Sequence, residues 1–215
     1  MMITVYGRAT SSNVQTVMWA IAELGLAHER LDIGGTYGGN DTPEYRAMNP
    51  NGLVPTIRDG ELVMWESAAI TRYLGARYGS ETFWPTDPVE RARLDMWAEW
   101  MKTTVYPVLI SQVFVSLVRT PAKVRDMAAL GRAADTLKGL AKMLDARLAR
   151  GPFLGGDELS FADIIVGHLL YRYHTLDFER AEAPALAAYY DRLTARPAYQ
   201  QHVMVSYAPL RHPEA

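Results

Sequence analysis

Every stretch of this chain that reads as a β-strand falls at or before Trp65, and from Val89 onward the apolar spacing is helical with no convincing strand. That division constrains the fold more than any other feature, because it calls for a small α/β unit followed by an all-α one. Met2 to Tyr6 is a short β-prone run ending at Gly7. A polar stretch, Arg8 to Asn13, leads into Val14, Val17, Met18, Ile21 and Leu24, whose spacing predicts an amphipathic helix with Gly25 at C′. His28 to Ile33 reads as a second strand and the glycine-rich Gly34 to Asn40 as a loop. Asn49-Pro50-Asn51-Gly52 is turn chemistry, and Val54 to Ile57 and Leu62 to Trp65 flank Arg58-Asp59-Gly60-Glu61 as a β-hairpin. Ile70, Tyr73, Leu74 and Tyr78 then line one face of a helix that Gly79 ends.

Pro85 and Pro88 punctuate a linker, which places the boundary between Ser80 and Asp87 and gives domains at 1–80 and 88–215 joined by 81–87. Residues 89–118 and 122–150 read as two long helices separated at Thr120-Pro121, the second carrying Leu137, Leu140, Leu144 and Leu148 as its apolar stripe. Ser160 is placed as the N-cap of a further helix, with Asp163 at N3 in a variant capping box and Leu159 against Ile164 as a hydrophobic staple. Pro184 and Pro197 start the last short helices.

Composition narrows the function classes. A formal net charge of -2 and a pI near 6.2 offer no basic field for a polyanion, which argues against nucleic-acid binding. The absence of cysteine removes disulfides, thiolate metal sites, CxxC chemistry and cysteine nucleophiles, so any thiol chemistry must draw its sulfur from a ligand. The histidines show no HxxxH spacing, and no metal site is expected. The opening MMITVYGRATSSN lacks the unbroken apolar stretch of a secretory signal. Ile164 to Leu170, broken by Gly167 and His168, is far short of the roughly 18 residues of a membrane span. A cytoplasmic protein with no membrane partner is the expectation.

Two pairs carry chemistry. Val54-Pro55 stands at the start of a predicted strand, where proline is normally confined to a first or edge position. A cis peptide there would turn the Val54 backbone outward as donor and acceptor for an extended ligand, and a trans proline at a strand start is the alternative. Ser67 lies at a helix N-terminus, which favours an anion, and Glu66 beside it offers a carboxylate to a cation. Together they match the zwitterionic head of an amino acid, although a cap and a favourable dipole charge would also explain them.

The order NPNGLVP, hairpin, WESAAI, linker and then GPFLGGDELSFADI resembles a cytosolic glutathione S-transferase over essentially the whole chain. NVQTVMWAIAELGLAHE and GGNDTPEYRAMNPNG further resemble bacterial members near the theta, zeta and nu-like branches, which use a hydroxyl or amide in place of tyrosine. The resemblance implies a thioredoxin-like N-terminal domain with a cis-proline, a helical C-terminal domain, glutathione as co-substrate, a hydrophobic electrophile between the domains, and a homodimer serving detoxification. Glutathione would contact Ser11, Asn13, Leu53, Val54, Pro55, Glu66 and Ser67. Counting back from Gly25, Ser11 matches the theta and zeta serine and Asn13 the nu-like asparagine; these two are the catalytic candidates, with Thr10 and Ser12 behind them. A glutathione thiol with an ordinary pKa near 8.5 needs such a donor to exist as thiolate at neutral pH.

The tyrosine used by several animal classes would fall at Gly7 in the same count, so Tyr6 is read as a sheet residue. Leu53 replaces a polar residue and cannot donate to the glycyl carboxylate, a contact left to the 34–40 loop. Trp100, Met101 and Tyr106 are co-substrate candidates on the first long helix, whereas Trp97 is assigned to the core and Ser160 and Asp163 to folding. Disulfide reduction or double-bond isomerisation with glutathione, and a non-catalytic glutathione-binding scaffold, are the alternatives. Loss of Glu66, Ser67 and Pro55 would mark a scaffold, and all three are present.

Overall fold

The computed structural model describes residues 2–215. Its strands are β1 (Ile3–Tyr6), β2 (His28–Leu31), β3 (Thr56–Asp59) and β4 (Leu62–Trp65), in one sheet of order β2-β1-β3-β4. β1 runs parallel to β2, with Ile3 opposite His28, and antiparallel to β3, with Tyr6 opposite Thr56. A parallel pair requires a crossover, and α1 (Ser12–Glu23) supplies it. The arrangement is the small α/β unit that the strand pattern called for, in the thioredoxin-like form that the resemblance implied. β3 begins at Thr56, two residues later than its apolar run suggests, because Pro55 has no N–H for the ladder.

One α-helix of the first half lies outside the elements expected from the sequence. α2 (Pro43–Met48) carries the signals of a helix start, with Thr42 accepting from the Tyr45 N–H at 3.2 Å, Pro43 at N1 and Glu44 in the first turn. Six residues are too few for a periodicity to register. α3 (Ser67–Tyr78) then closes the first half.

The rest is helical. α4 spans Pro88–Arg119, capped by Asp87 on the Val89 N–H at 2.7 Å. Its hydrogen bonding widens to the π pattern over Met101–Val105 and Pro107–Arg119, on either side of Tyr106. Proline at 107 has no N–H to give, so the regular ladder is interrupted there. This helix is also long and apolar enough, with a window of mean hydropathy 1.4, to pass a test for a membrane span by length and composition. Its Leu109, Val113, Phe114 and Val118, however, are buried in the core. α5 (Met127–Leu148) starts at the Asp126 cap, later than the expected 122, and buries Leu137, Leu144 and Leu148. α6 (Phe161–Gly167), α7 (Leu170–Thr175), α8 (Pro184–Thr194) and α9 (Pro197–His202) complete the bundle.

The two halves share one core, and α1 is the seam. It packs on α3 within its own half and on α6 and α9 across the boundary. Trp19 on α1 is fully buried, edge-on to Tyr199 of α9 at 4.8 Å. A Cβ at Gly167 would lie 2.7 Å from Leu193 Cδ1 and 2.9 Å from the Trp19 ring, so α6 approaches α1 this closely because it has none. Glu23 locks the seam, accepting from Trp19 Nε1 at 2.8 Å and from both Arg196 Nε and Nη2 at 2.7 and 2.6 Å.

Candidate functional site

The cleft lies where the N-terminus of α1, the turn before β3, the N-terminus of α3 and one face of α4 converge. Ser11 is the N-cap of α1 in an extended conformation, yet its hydroxyl makes no capping bond. A free donor is thereby left at the positive end of the helix. The loop before it is held from both halves. Gln15 Nε2 donates to the Ala9 carbonyl at 3.0 Å, and Arg172 Nη2 of α7 donates to the Thr10 carbonyl at 2.8 Å.

The Val54-Pro55 peptide is cis. Its flanks are fixed by Tyr45 of α2 and by Asn49, the first residue of the turn that follows it. Tyr45, 3% exposed, donates to the Leu53 carbonyl at 2.7 Å and pairs with Thr56 Oγ1 at 2.9 Å; Asn49 Nδ2 also donates to the Leu53 carbonyl at 2.8 Å. The Leu53 side chain points to solvent at 64% exposure. Leu53 therefore presents no side-chain donor to a ligand, and its carbonyl is already engaged.

Glu66 occupies the N-cap position of α3 with φ 72° and ψ 107°, the one described non-glycine residue at positive φ. Such a conformation costs a side-chain-bearing residue on the order of 1–3 kcal/mol and concentrates at ligand clamps. Its carboxylate is exposed and makes no cap bond. The next residue, Ser67, is buried.

Ser67 and Asn13 meet at a cation that the sequence reading did not single out. Lys102 of α4 donates from Nζ to Asn13 Oδ1 at 2.7 Å and to Ser67 Oγ at 3.2 Å, while Ser67 Oγ donates to Asn13 Oδ1 at 3.2 Å. Burial of the ammonium pushes its pKa down to about 8, against the pull of Glu66 and Glu99. The Asn13 amide also donates to the Tyr106 hydroxyl at 3.4 Å, and Lys102 Nζ lies 4.7 Å from the Tyr106 ring centroid. Lys102, Tyr106, Ile110 and Phe114 follow one another at four-residue steps and so share a helix face. Chemically, the cluster presents a cation, a hydroxyl and a helix N-terminus to an anion, with the Glu66 carboxylate beside it for an amine.

The sequence candidates thus divide. Asn13 and Ser67 are brought together, and Ser11 lines an adjoining cavity with Thr10, Ser12 and Tyr106. Of the three co-substrate candidates only Tyr106 reaches this place. Met101 is 1% exposed and, with Trp100, lines a small crevice among Val105, Leu137, Leu144, Leu170 and Tyr173, inside the bundle. Trp100 and Met101 fall on another face of α4, where aromatic and methionine side chains serve packing. Trp97 stacks edge-on to Trp100 at 5.3 Å against the core. Tyr6 packs edge-on to Tyr45 at 6.4 Å within the sheet unit. Ser160 and Asp163 form a buried capping box at the start of α6, with Asp163 accepting from Leu154 and Ser160 N–H groups and from the Ser160 and Tyr189 hydroxyls.

Lys102 was missed because a lone lysine on a long helix carries no linear signal, and only the fold sets it across from residues 13 and 67. Among the described residues no group of three or more His, Asp or Glu could hold a metal ion.

Comparison with known proteins places this geometry. Residues 5–82 match the family model for the glutathione S-transferase N-terminal domain, and residues 127–192 match that for its C-terminal domain. Glutathione S-transferase GstB of Escherichia coli is 38% identical, over 95% of this chain and 99% of its own length. Glutathione S-transferase 3 of Zea mays is 32% identical, over 94% of this chain and 93% of its own. The glutathione-bound crystal structure of a theta class glutathione S-transferase from Xanthomonas axonopodis pv. citri superposes with a TM-score of 0.90 at 45% identity, covering 95% of this chain and 98% of that one. A cis Val-Pro turn, a Glu-Ser pair at a helix start and near full-length agreement with these enzymes have one common reading: the chain belongs to the glutathione S-transferase family.

Proposed function

We propose that this glutathione S-transferase binds glutathione in extended form along Val54-Pro55, ionises its thiol at Ser11 and adds the sulfur to an electrophile in the cleft beside Tyr106. Glu66 takes the γ-glutamyl ammonium, and Ser67 with Lys102 takes the γ-glutamyl carboxylate. Asn13 orients both Ser67 and Lys102 and supplies its amide N–H toward the sulfur. The observation that carries this assignment is the uncommitted Ser11 hydroxyl at the start of α1 beside the Asn13–Ser67–Lys102 cluster. A hydroxyl that bonds the thiolate and hardly the thiol lowers the thiol pKa without holding the peptide more tightly. The division into domains at 1–80 and 88–215 with linker 81–87 belongs to the same reading, as do a cytoplasmic location and a role in detoxification. So does a two-fold homodimer, which the exposed Leu62, Trp65, Val89 and Met96 support.

The test is a spectroscopic titration of the bound thiolate in wild type, Ser11→Ala, Asn13→Ala and Tyr6→Phe, with glutathione affinity measured for each. Ser11→Ala should raise the bound thiol pKa and slow turnover at neutral pH while affinity changes little. A bound thiol pKa unchanged from wild type in Ser11→Ala with a raised one in Tyr6→Phe would reassign the donor to the tyrosine. Light scattering should return twice the 24.0 kDa chain mass.

A further inference from the structure

The cavity that Ser11 opens into has a volume of about 160 Å³ and is lined by three arginines, Arg8, Arg119 and Arg172, with no acidic residue in its wall. Each comes from a different element: the loop after β1, the end of α4, and α7. Among the described residues none of the three forms a salt bridge. Arg172 is 4% exposed; one Nη2 bond to the Thr10 carbonyl and the face of Phe114, 4.4 Å from its guanidinium carbon, are its only described partners. The Arg119 guanidinium carbon lies 5.7 Å from the centre of the same ring. Arg8 Nε is buried without a hydrogen-bond partner, and the 34–35 glycines pass so close that a Cβ on Gly35 would sit 3.0 Å from it. Burial, and after it the nearby charge of Arg119, lowers the proton affinity of Arg8 and Arg172.

Three arginine side chains lining one cavity without a counter-charge, with Arg172 almost wholly buried and Arg8 Nε buried and unpartnered, are unfavourable unless an anion completes them. The chain as a whole is slightly acidic, so this local positive charge is no consequence of composition. Resting on the glutathione reading, we propose that the electrophile bears a carboxylate, held in this cavity by Arg8, Arg119 and Arg172 so that its reactive carbon faces the sulfur near Ser11, with Tyr106 and Phe114 against its apolar part. Guanidinium forks match a carboxylate bidentately, which a pocket selecting hydrophobic surface alone would not need. In the reaction the glutathione thiol gives its proton to solvent, the thiolate sulfur forms a C–S bond, and a halide leaves with the electrons of its bond to carbon; no net oxidation occurs.

The test compares 4-chloro-3,5-dinitrobenzoate with 4-chloro-3,5-dinitrobenzamide, which share the reacting carbon and differ in charge. The readout is the ratio of their kcat/KM values, each corrected for the uncatalysed rate. The ratio should favour the carboxylate by at least about tenfold in wild type and fall by at least about tenfold in Arg119→Gln, with reversal in Arg119→Glu. Arg119 is the chosen position because it is exposed, and its replacement leaves the Arg172–Thr10 bond in place. In parallel, calorimetry with the inert 3,5-dinitrobenzoate and its amide reads the cavity without turnover. A ratio near one in wild type with equal binding of the inert pair would overturn the proposal. So would a KM for glutathione that rises equally with both electrophiles in Arg119→Gln, since the arginines would then hold the tripeptide itself. Preferred binding of 3,5-dinitrobenzoate without any binding of glutathione would instead sink the glutathione reading and leave the anion cavity standing.

Discussion

Lys102 should trade stability for binding, and Lys102→Met exposes the exchange. Its folded pKa of about 8 stands below the ordinary 10.5, so the folded chain holds this proton less tightly than the unfolded one. At pH 7, below both values, the charge therefore subtracts roughly 3 kcal/mol from stability, at about 1.4 kcal/mol per unit. The cost fades as pH rises from 8 toward 10.5, where the unfolded chain also loses the proton. Methionine has similar length and no charge. It relieves that cost but forfeits the bonds to Asn13 Oδ1 and Ser67 Oγ, while Ser67 keeps its own bond to Asn13. A net gain of about 1–2 kcal/mol remains, a rise in Tm of roughly 2–8 °C at pH 7 for a chain this long. Removing a charge-assisted bond to the glutamyl carboxylate should at the same time weaken glutathione roughly tenfold to a hundredfold. Thermal melts at pH 7 and pH 10 and calorimetric titration with glutathione check both halves. A variant melting lower than wild type at pH 7 would refute the desolvation argument, and unchanged affinity would remove Lys102 from the glutathione site.

Glu66→Gly should relieve the positive φ and raise stability by about 1 kcal/mol, after allowing for the greater flexibility of unfolded glycine, while glutathione affinity falls; a loss of stability in denaturant titration would deny that the backbone is strained there. Asp163→Ala orphans two buried N–H groups and the Tyr189 hydroxyl and should cost about 3–5 kcal/mol in urea unfolding, with the bound thiol pKa of any folded fraction unchanged. His174, whose pKa burial pushes down to about 4, must be neutral to fit, so the stability it contributes near neutrality is lost as pH falls from 6.5 toward 4. His174→Phe, keeping the stack on Tyr190 at 4.1 Å, should move the acid-unfolding midpoint to lower pH; an unmoved midpoint would count against the neutral-histidine account.

What the amino-acid order settled alone were the features with local causes. Strands before Trp65, the cap at Ser160 with Asp163, the proline starts at 184 and 197, and the glycine stop at 25 all follow from rules that act within a turn or two of the chain. Val54-Pro55 and Glu66-Ser67 were legible because each pair is contiguous and sits at an element boundary. The helix over Pro43–Met48 had its start signals but no length, and Tyr45 was overlooked with it. Which residues share the cleft was decided only by tertiary structure. Trp100, Met101 and Tyr106 look alike in sequence, yet the rotation of α4 buries Met101 in the bundle, keeps Trp100 beside it and turns Tyr106 to the cleft. Lys102 meets Asn13 and Ser67, and Arg172 meets the Thr10 carbonyl, across separations that no spacing rule spans. Charge and burial take their chemical meaning from neighbours, and those neighbours were chosen by the packing of α1 against the helical half.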